Sequence, residues 1–87
     1  MEDAITRFKQ TLDEYHSWPC TYTFKFIVPA GQCNEVLNLF EHRDEVSTRS
    51  SRNGRYVSIT ARCQVHSSDE VVTVYEAASH IEGVLSL

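Results

Sequence analysis

The residues able to bind or react are three cysteines, four histidines and a cluster of arginines. A zinc site needs cysteines and histidines at short, paired spacings. Cys20, Cys33 and Cys63 lack that spacing, and none of His16, His42, His66 and His80 sits four residues from another histidine or beside a cysteine at ligand spacing. No metal site and no cofactor are expected. A nucleophile needs an adjacent base and a place to stabilise an oxyanion. Cys33 near a helix start is the one candidate for a lowered pKa. It falls on an apolar stripe instead, so all three thiols are read as reduced packing residues. The sequence predicts no enzyme.

The arginines are the distinctive feature. Residues 43–62 hold five arginines against Asp44 and Glu45, a net of +3. The remainder holds Arg7, Lys9 and Lys25 against ten acids, a net of −7, which gives the formal −4 of the whole. Arg49, Arg52, Arg55 and Arg62, with Tyr56, therefore form a candidate surface for an anion or an acidic partner. The competing reading is a charged guard that keeps an edge strand from aggregating. Nucleic acid is disfavoured by the net charge and by Tyr56 being the one aromatic available for stacking on the outer faces of the two central strands.

These side chains need an element to hold them. Asn53-Gly54 between two β-rich runs signals a two-residue type I′ hairpin, which requires φ > 0 at both central residues. Counting outward sets Arg52 opposite Arg55, Ser51 opposite Tyr56, Arg49 opposite Ser58 and Glu45 opposite Arg62, the last an opposite-charge pair. Val57, Ile59, Ala61, Cys63 and Val65 alternate with Tyr56, Ser58, Thr60, Arg62 and Gln64. Such alternation predicts a sheet buried on one face and open on the other.

The rest of the chain supplies partners for that hairpin. Ile5, Phe8, Leu12 and Tyr15 mark a helix over residues 2–16, followed by a Trp18-Pro19 joint. Residues 20–28 alternate as a strand, with Tyr22, Phe24, Phe26 and Val28 inward and Thr21, Thr23, Lys25 and Ile27 outward. Cys33, Val36, Leu37 and Phe40 predict a helix over about 32–42. Strands follow near 44–52 and 55–65. Ser67 and Glu70 form a capping box that starts a helix over 68–80, with Val71, Val74, Tyr75, Ala78 and Ile81 on one face. Gly83 ends it, and a short strand closes the chain near 83–87. Phe24, Phe26, Leu37, Phe40, Ile59 and Tyr75 are the expected core.

The order is an N-terminal helix over residues 1–19, with its joint, and then β-α-β-β-α-β over 20–87. This is an α+β, ferredoxin-like sandwich, a four-stranded antiparallel sheet with two helices on one face. Eighty-seven residues make one small domain with a modest core. The absence of a long apolar run or a signal-like start, together with unpaired cysteines, predicts a cytoplasmic protein with no membrane partner.

Trp18-Pro19, then Thr21-Tyr22-Thr23-Phe24-Lys25, then Ser50 through Thr60 (SSRNGRYVSIT) and finally Val74-Tyr75-Glu76 resemble, in order and spacing, the YbeD-like family of small bacterial proteins. The resemblance implies a fold like the ACT regulatory domain and a regulatory role linked by name to lipoate metabolism. ACT domains bind small ligands at the first strand-to-helix loop and through paired sheets. The resemblance thus makes Pro29, Ala30, Gly31 and Gln32 a candidate ligand-binding loop and allows a homodimer. Val28 precedes Pro29 where amino-acid-binding ACT domains carry an acid. Two functions follow as expectations: a regulator sensing a small ligand at Pro29–Gln32 or at a sheet–sheet interface, or a protein-interaction adaptor using the basic hairpin and the open sheet face.

Overall fold

The computed structural model describes residues 3–41 and 44–87. Glu2, His42 and Arg43, which the sequence reading placed in helix ends and in the basic cluster, lie outside the described residues. The elements run α1 (Ala4–Tyr15), β1 (Cys20–Pro29), a 3₁₀ turn (Ala30–Gln32), α2 (Cys33–Leu37), β2 (Glu45–Ser50), β3 (Tyr56–Val65), α3 (Ser68–Ser79) and β4 (Leu85–Ser86). The sheet has the order β2-β3-β1-β4, with every neighbouring pair antiparallel. That is the α+β, ferredoxin-like arrangement expected from the element order.

The two central strands hold the core. Phe24, Phe26, Val28, Ile59 and Ala61 are at most 1 % exposed, and Val36 of α2 and Val71 and Ala78 of α3 close over them at 0 %. Burying each large side chain contributes on the order of 1.5–3 kcal/mol. An aromatic cluster ties the layers together. Tyr75 of α3 sets its ring edge-on to Phe24 at 5.3 Å and to Phe26 at 5.9 Å. Phe40 leans on the same two rings at 5.8 and 6.3 Å.

Three of the six expected core residues differ in degree. Phe24, Phe26 and Ile59 are buried, whereas Leu37, Phe40 and Tyr75 are half-buried against the core. Phe40 and Leu37 sit at the rim because α2 is much shorter than periodicity predicted. It ends at Leu37, and the Leu39 and Phe40 N–H groups bond three residues back, to Val36 and Leu37. Asp44 then closes the turn by accepting from the Glu41 N–H at 3.0 Å. A five-residue helix has little stability of its own, so packing of Phe40 decides the backbone.

Helix α3 starts behind its Ser67 cap as the sequence indicates, while α1 starts at Ala4, behind an Asp3 cap that the apolar spacing did not mark. Asp3 accepts from the Thr6 N–H at 2.7 Å, and Ser67 accepts from the Glu70 N–H at 3.3 Å. The Glu70 carboxylate reaches one residue further than a capping box requires and accepts from the His66 N–H at 2.8 Å. Helix α1 lies along α3. Phe8 meets Tyr75 at 5.8 Å, Lys9 pairs with Asp69 at 2.6 Å, and Leu12 is buried in the core. Ile5 and Tyr15 of its stripe stay exposed at 45 % and 78 %. With the sheet beneath it and α1 beside it, α3 buries more than one stripe, and Val72 is buried as well.

Helix α1 enters β1 through a cis Trp18–Pro19 peptide. The Trp18 Nε1–H donates to Asp13 Oδ1 at 2.9 Å, and its ring lies 5.5 Å from that of His16. At the other end, Gly83 adopts φ +78° and packs so close to Pro29 that a Cβ would stand 2.7 Å from Cγ of its ring. Only glycine fits that close approach, which brings the chain back to pair β4 with Ile27.

Candidate functional site

The site begins with the hairpin register. The observed pairs run from Glu45–Arg62 through Arg49–Ser58 to Ser50–Val57, the register predicted from the sequence. The turn itself is a correction. Among the described residues no non-glycine has positive φ, so Asn53 does not take the conformation a type I′ turn demands, and Gly54 alone does, at +74°. The loop is four residues wide. The Gly54 N–H donates to the Ser51 carbonyl at 3.0 Å, and the Ser51 N–H donates to the Tyr56 carbonyl at 2.8 Å. Asn53 turns its side chain inward, where Oδ1 accepts from the Arg55 N–H and the Ser51 hydroxyl, both at 3.1 Å. Side-chain bonding of this kind replaces the left-handed backbone. Widening the loop by two residues keeps the parity, so the register survives, and Arg52 and Arg55 become loop residues instead of a cross-strand pair.

Residues directly opposite in an antiparallel pair share a face. Through Arg49–Ser58, Ser58–Ile27 and Ile27–Leu85, one row crosses all four strands on the open face. It runs from a cation at the β2 edge to an exposed apolar side chain at the β4 edge. Above its basic end, Ile27, Arg49, Ser50, Ser51, Arg52, Tyr56 and Ser58 line an open groove of about 500 Å³. Tyr56 is 50 % exposed.

The structure thus gathers Arg49, Arg52 and Tyr56 and separates the other two arginines from them. Arg55 lies in the loop, where its carbonyl accepts from the Ala30 N–H at 2.9 Å. Arg62 lies at the opposite end of the face, 3.7 Å from Glu45, beside a smaller hollow of about 260 Å³ that also includes Thr21, Asp44, Gln64 and His66. Arg49 and Arg52 have no acidic partner among the described residues. Ile27, Ser50, Ser51 and Ser58 join the groove without having been singled out from the sequence. The signal was present: Ile27 and Ser58 were both on the outward face, and register places Arg49 beside Ser58.

The Pro29–Gln32 segment is built differently. Pro29 ends β1 and packs against Gly83, and Ala30 and Gly31 are exposed within a 3₁₀ turn, with nothing within 4 Å of a Cβ built on Gly31. With its side-chain amide oriented to donate, Gln32 bonds to the Glu35 carboxylate at 2.9 Å.

The thiols are free. Cys63 is buried, and burial, with Asp44 nearby, pushes its pKa up to about 12. Cys20 and Cys33 are half-buried. One contact was not read from spacing: Cys20 Sγ lies 3.8 Å from His16 Nδ1, while the Trp18 and Tyr22 rings pack on that imidazole. Among the described residues, no three His, Cys, Asp or Glu side chains converge as a metal site. The Tyr22 and Tyr75 hydroxyls meet at 3.2 Å, and burial raises the Tyr75 phenol well above its usual range.

The family described as "Protein of unknown function (DUF493)" matches residues 13–87, from the end of α1 through β4. The chain belongs to this family. Among its relatives, a UPF0250 protein of Shewanella amazonensis is 30% identical over 80 residues, covering 85% of this chain and 91% of the relative. UPF0250 proteins of Shewanella putrefaciens and Shewanella oneidensis are 33% and 31% identical over 81 residues, covering 83% of this chain and 89% of each relative. The YbeD-like resemblance is thereby borne out as membership of a small bacterial family. No solved structure matches the chain. No described helix is long and apolar enough to cross a membrane.

Proposed function

We propose that this family member is a non-enzymatic binding module, a protein-interaction adaptor that captures an acidic partner on the open sheet face at the root of its hairpin. The observation that carries this reading is the convergence of Arg49, Arg52, Tyr56 and Ile27 on one groove of about 500 Å³. Two guanidiniums without an acidic partner among the described residues, beside an aromatic and an aliphatic side chain, suit a carboxylate-bearing, partly apolar surface. Guanidinium recognises carboxylates in a bidentate way, and exposed charge raises encounter rate more than affinity. The YbeD-like resemblance supports a regulatory setting linked by name to lipoate metabolism, and the free cysteines fit the cytoplasm.

Reversing Arg49→Glu and Arg52→Glu together tests the reading. The fold, checked by circular dichroism, stays intact, because exposed charge changes usually cost less than about 0.5 kcal/mol. Partner capture from the native cell falls, most at low salt, where screening is weakest. Equal capture by both proteins leaves the arginines as an edge guard only.

A second reading makes the occupant a small ligand. The groove lies within the volume range of small-molecule sites. The Ala30 N–H bond to Arg55 also joins the Pro29–Gln32 turn to the hairpin tip. A metabolite that raises the melting temperature favours this reading, since a ligand bound only by the native state stabilises it.

A further inference from the structure

The two edges of the sheet are protected unequally. The β4 edge offers two paired residues, Leu85 and Ser86. The β2 edge offers six, Glu45–Ser50, in unbroken register without proline or bulge. Long, regular edges of this kind are templates for another strand unless something blunts them. Here β2 is mostly bare: Glu45, Ser47, Thr48, Arg49 and Ser50 are exposed and Val46 is half-buried.

Ladder parity shows which backbone groups are unused. The Ser51 N–H bonds to the Tyr56 carbonyl, so that pair is hydrogen-bonded. In an antiparallel ladder such pairs alternate with non-bonded ones. Counting back, residues 49, 47 and 45 bond inward to β3, while Val46, Thr48 and Ser50 direct their N–H and C=O groups away from the sheet. Between them, Ser47 and Arg49 point their side chains to the open face, with Arg52 just beyond at the turn.

We infer that β2 accepts an acidic, extended segment of a protein partner as a fifth, antiparallel strand, with carboxylates at alternate positions set against Arg49 and Arg52. This rests on the binding reading above and adds how the partner is held. Main-chain bonds to Val46, Thr48 and Ser50 supply affinity, and alternate side chains supply specificity. Charge argues for the occupant. The hairpin region is net +3, and Arg49 and Arg52 have no acid of their own among the described residues, whereas Glu45 is already engaged by Arg62. A second copy would bring its own arginines to the same edge.

The probe is a capped hexapeptide of alternating Glu and Thr, titrated into the full chain and followed by amide NMR. In the antiparallel arrangement, the three Glu face Ser47, Arg49 and Ser51, the last beside Arg52, with their own N–H groups turned outward, and each Thr N–H bonds to β2. N-methylating the threonines therefore weakens binding by about tenfold or more, while N-methylating the glutamates leaves it nearly unchanged. Binding slows exchange of the Val46, Thr48 and Ser50 amides and weakens with salt. Thr48→Pro also abolishes it, since the N–H it removes is not used by β3. Equal binding of both methylated peptides, with shifts confined to the groove, overturns strand addition and leaves the groove reading standing. Failure of the unmodified peptide to bind overturns the inference, and the double reversal of Arg49 and Arg52 still tests the adaptor separately. A dimer of the free chain that Thr48→Pro dissolves also overturns it, because a second copy then holds the edge.

Discussion

The two faces of β3 differ by a shift of one residue and by nearly everything else. Toward the helices, Val57, Ile59, Ala61, Cys63 and Val65 are buried. Toward solvent, Tyr56, Arg62 and Gln64 are exposed, and Ser58 and Thr60 are half-buried. The covered face meets aromatic rings, aliphatic side chains and two helices. The open face carries hydroxyls, one aromatic and the arginines. Stability therefore belongs to one side of the strand and the proposed recognition to the other, and a substitution should reveal its side by which property it changes.

The sharpest contrast comes from Phe26, fully buried between β3 and the Tyr75 and Phe40 rings. Phe26→Ala should cost about 3–5 kcal/mol in denaturant unfolding, as large-to-small core changes do. A loss below about 1 kcal/mol would mean that the covered face is not the stabilising one. In a small domain of ordinary stability, the expected loss unfolds a large share of the molecules.

A middle-sized effect should appear at alkaline pH. Cys63 has an ordinary value of 9.0 and a folded value of about 12, so the native chain keeps a proton that the unfolded chain releases. Its contribution is fully present below pH 9 and is lost as pH rises toward 12. Thermal melts should fall across that window, and Cys63→Ala should flatten the first part of the fall. A remaining decline above pH 10 is shared by Tyr75, whose phenol is likewise held protonated, and Lys9, whose pairing with Asp69 holds its ammonium charged above the usual range. Identical pH slopes in the native protein and Cys63→Ala would contradict a buried thiol.

The smallest effect should come from the open face. Arg62 and Glu45 sit 3.7 Å apart with side chains 60% and 78% exposed. Arg62→Gln should change stability by about 0.5 kcal/mol or less, because exposed ion pairs are screened and mobile. A larger loss in chemical unfolding would show that the open face also carries structural load.

Much of this contrast could be read from residue types. The alternation of β3 gave its two faces, and counting from Asn53-Gly54 gave every observed β2–β3 pair, because register depends on parity and not on turn type. The turn type itself was misread, since Asn53 forms side-chain bonds that satisfy the loop without a left-handed backbone. The length of α2 was also illegible. Phe40 falls on the helical stripe whether the chain continues as a helix or turns at Asn38, and only contact with Phe24 and Phe26 decides between them. For the site, the arginines were visible, but their division was not. Arg49 and Arg52 share a groove, while Arg62 is claimed by Glu45 at the far end of the face.

The joint before β1 has a practical consequence. The sequence contains a single tryptophan, and its indole is hydrogen-bonded to Asp13 of α1 with its ring near the imidazole of His16. All of the chain's tryptophan emission therefore comes from the place where the first helix meets the sheet. A fluorescence trace reports undocking of α1 from the domain, while circular dichroism reports loss of the fold as a whole. Divergence of the two curves would date the helix's departure before global unfolding, and coincidence would make helix and sheet one cooperative unit.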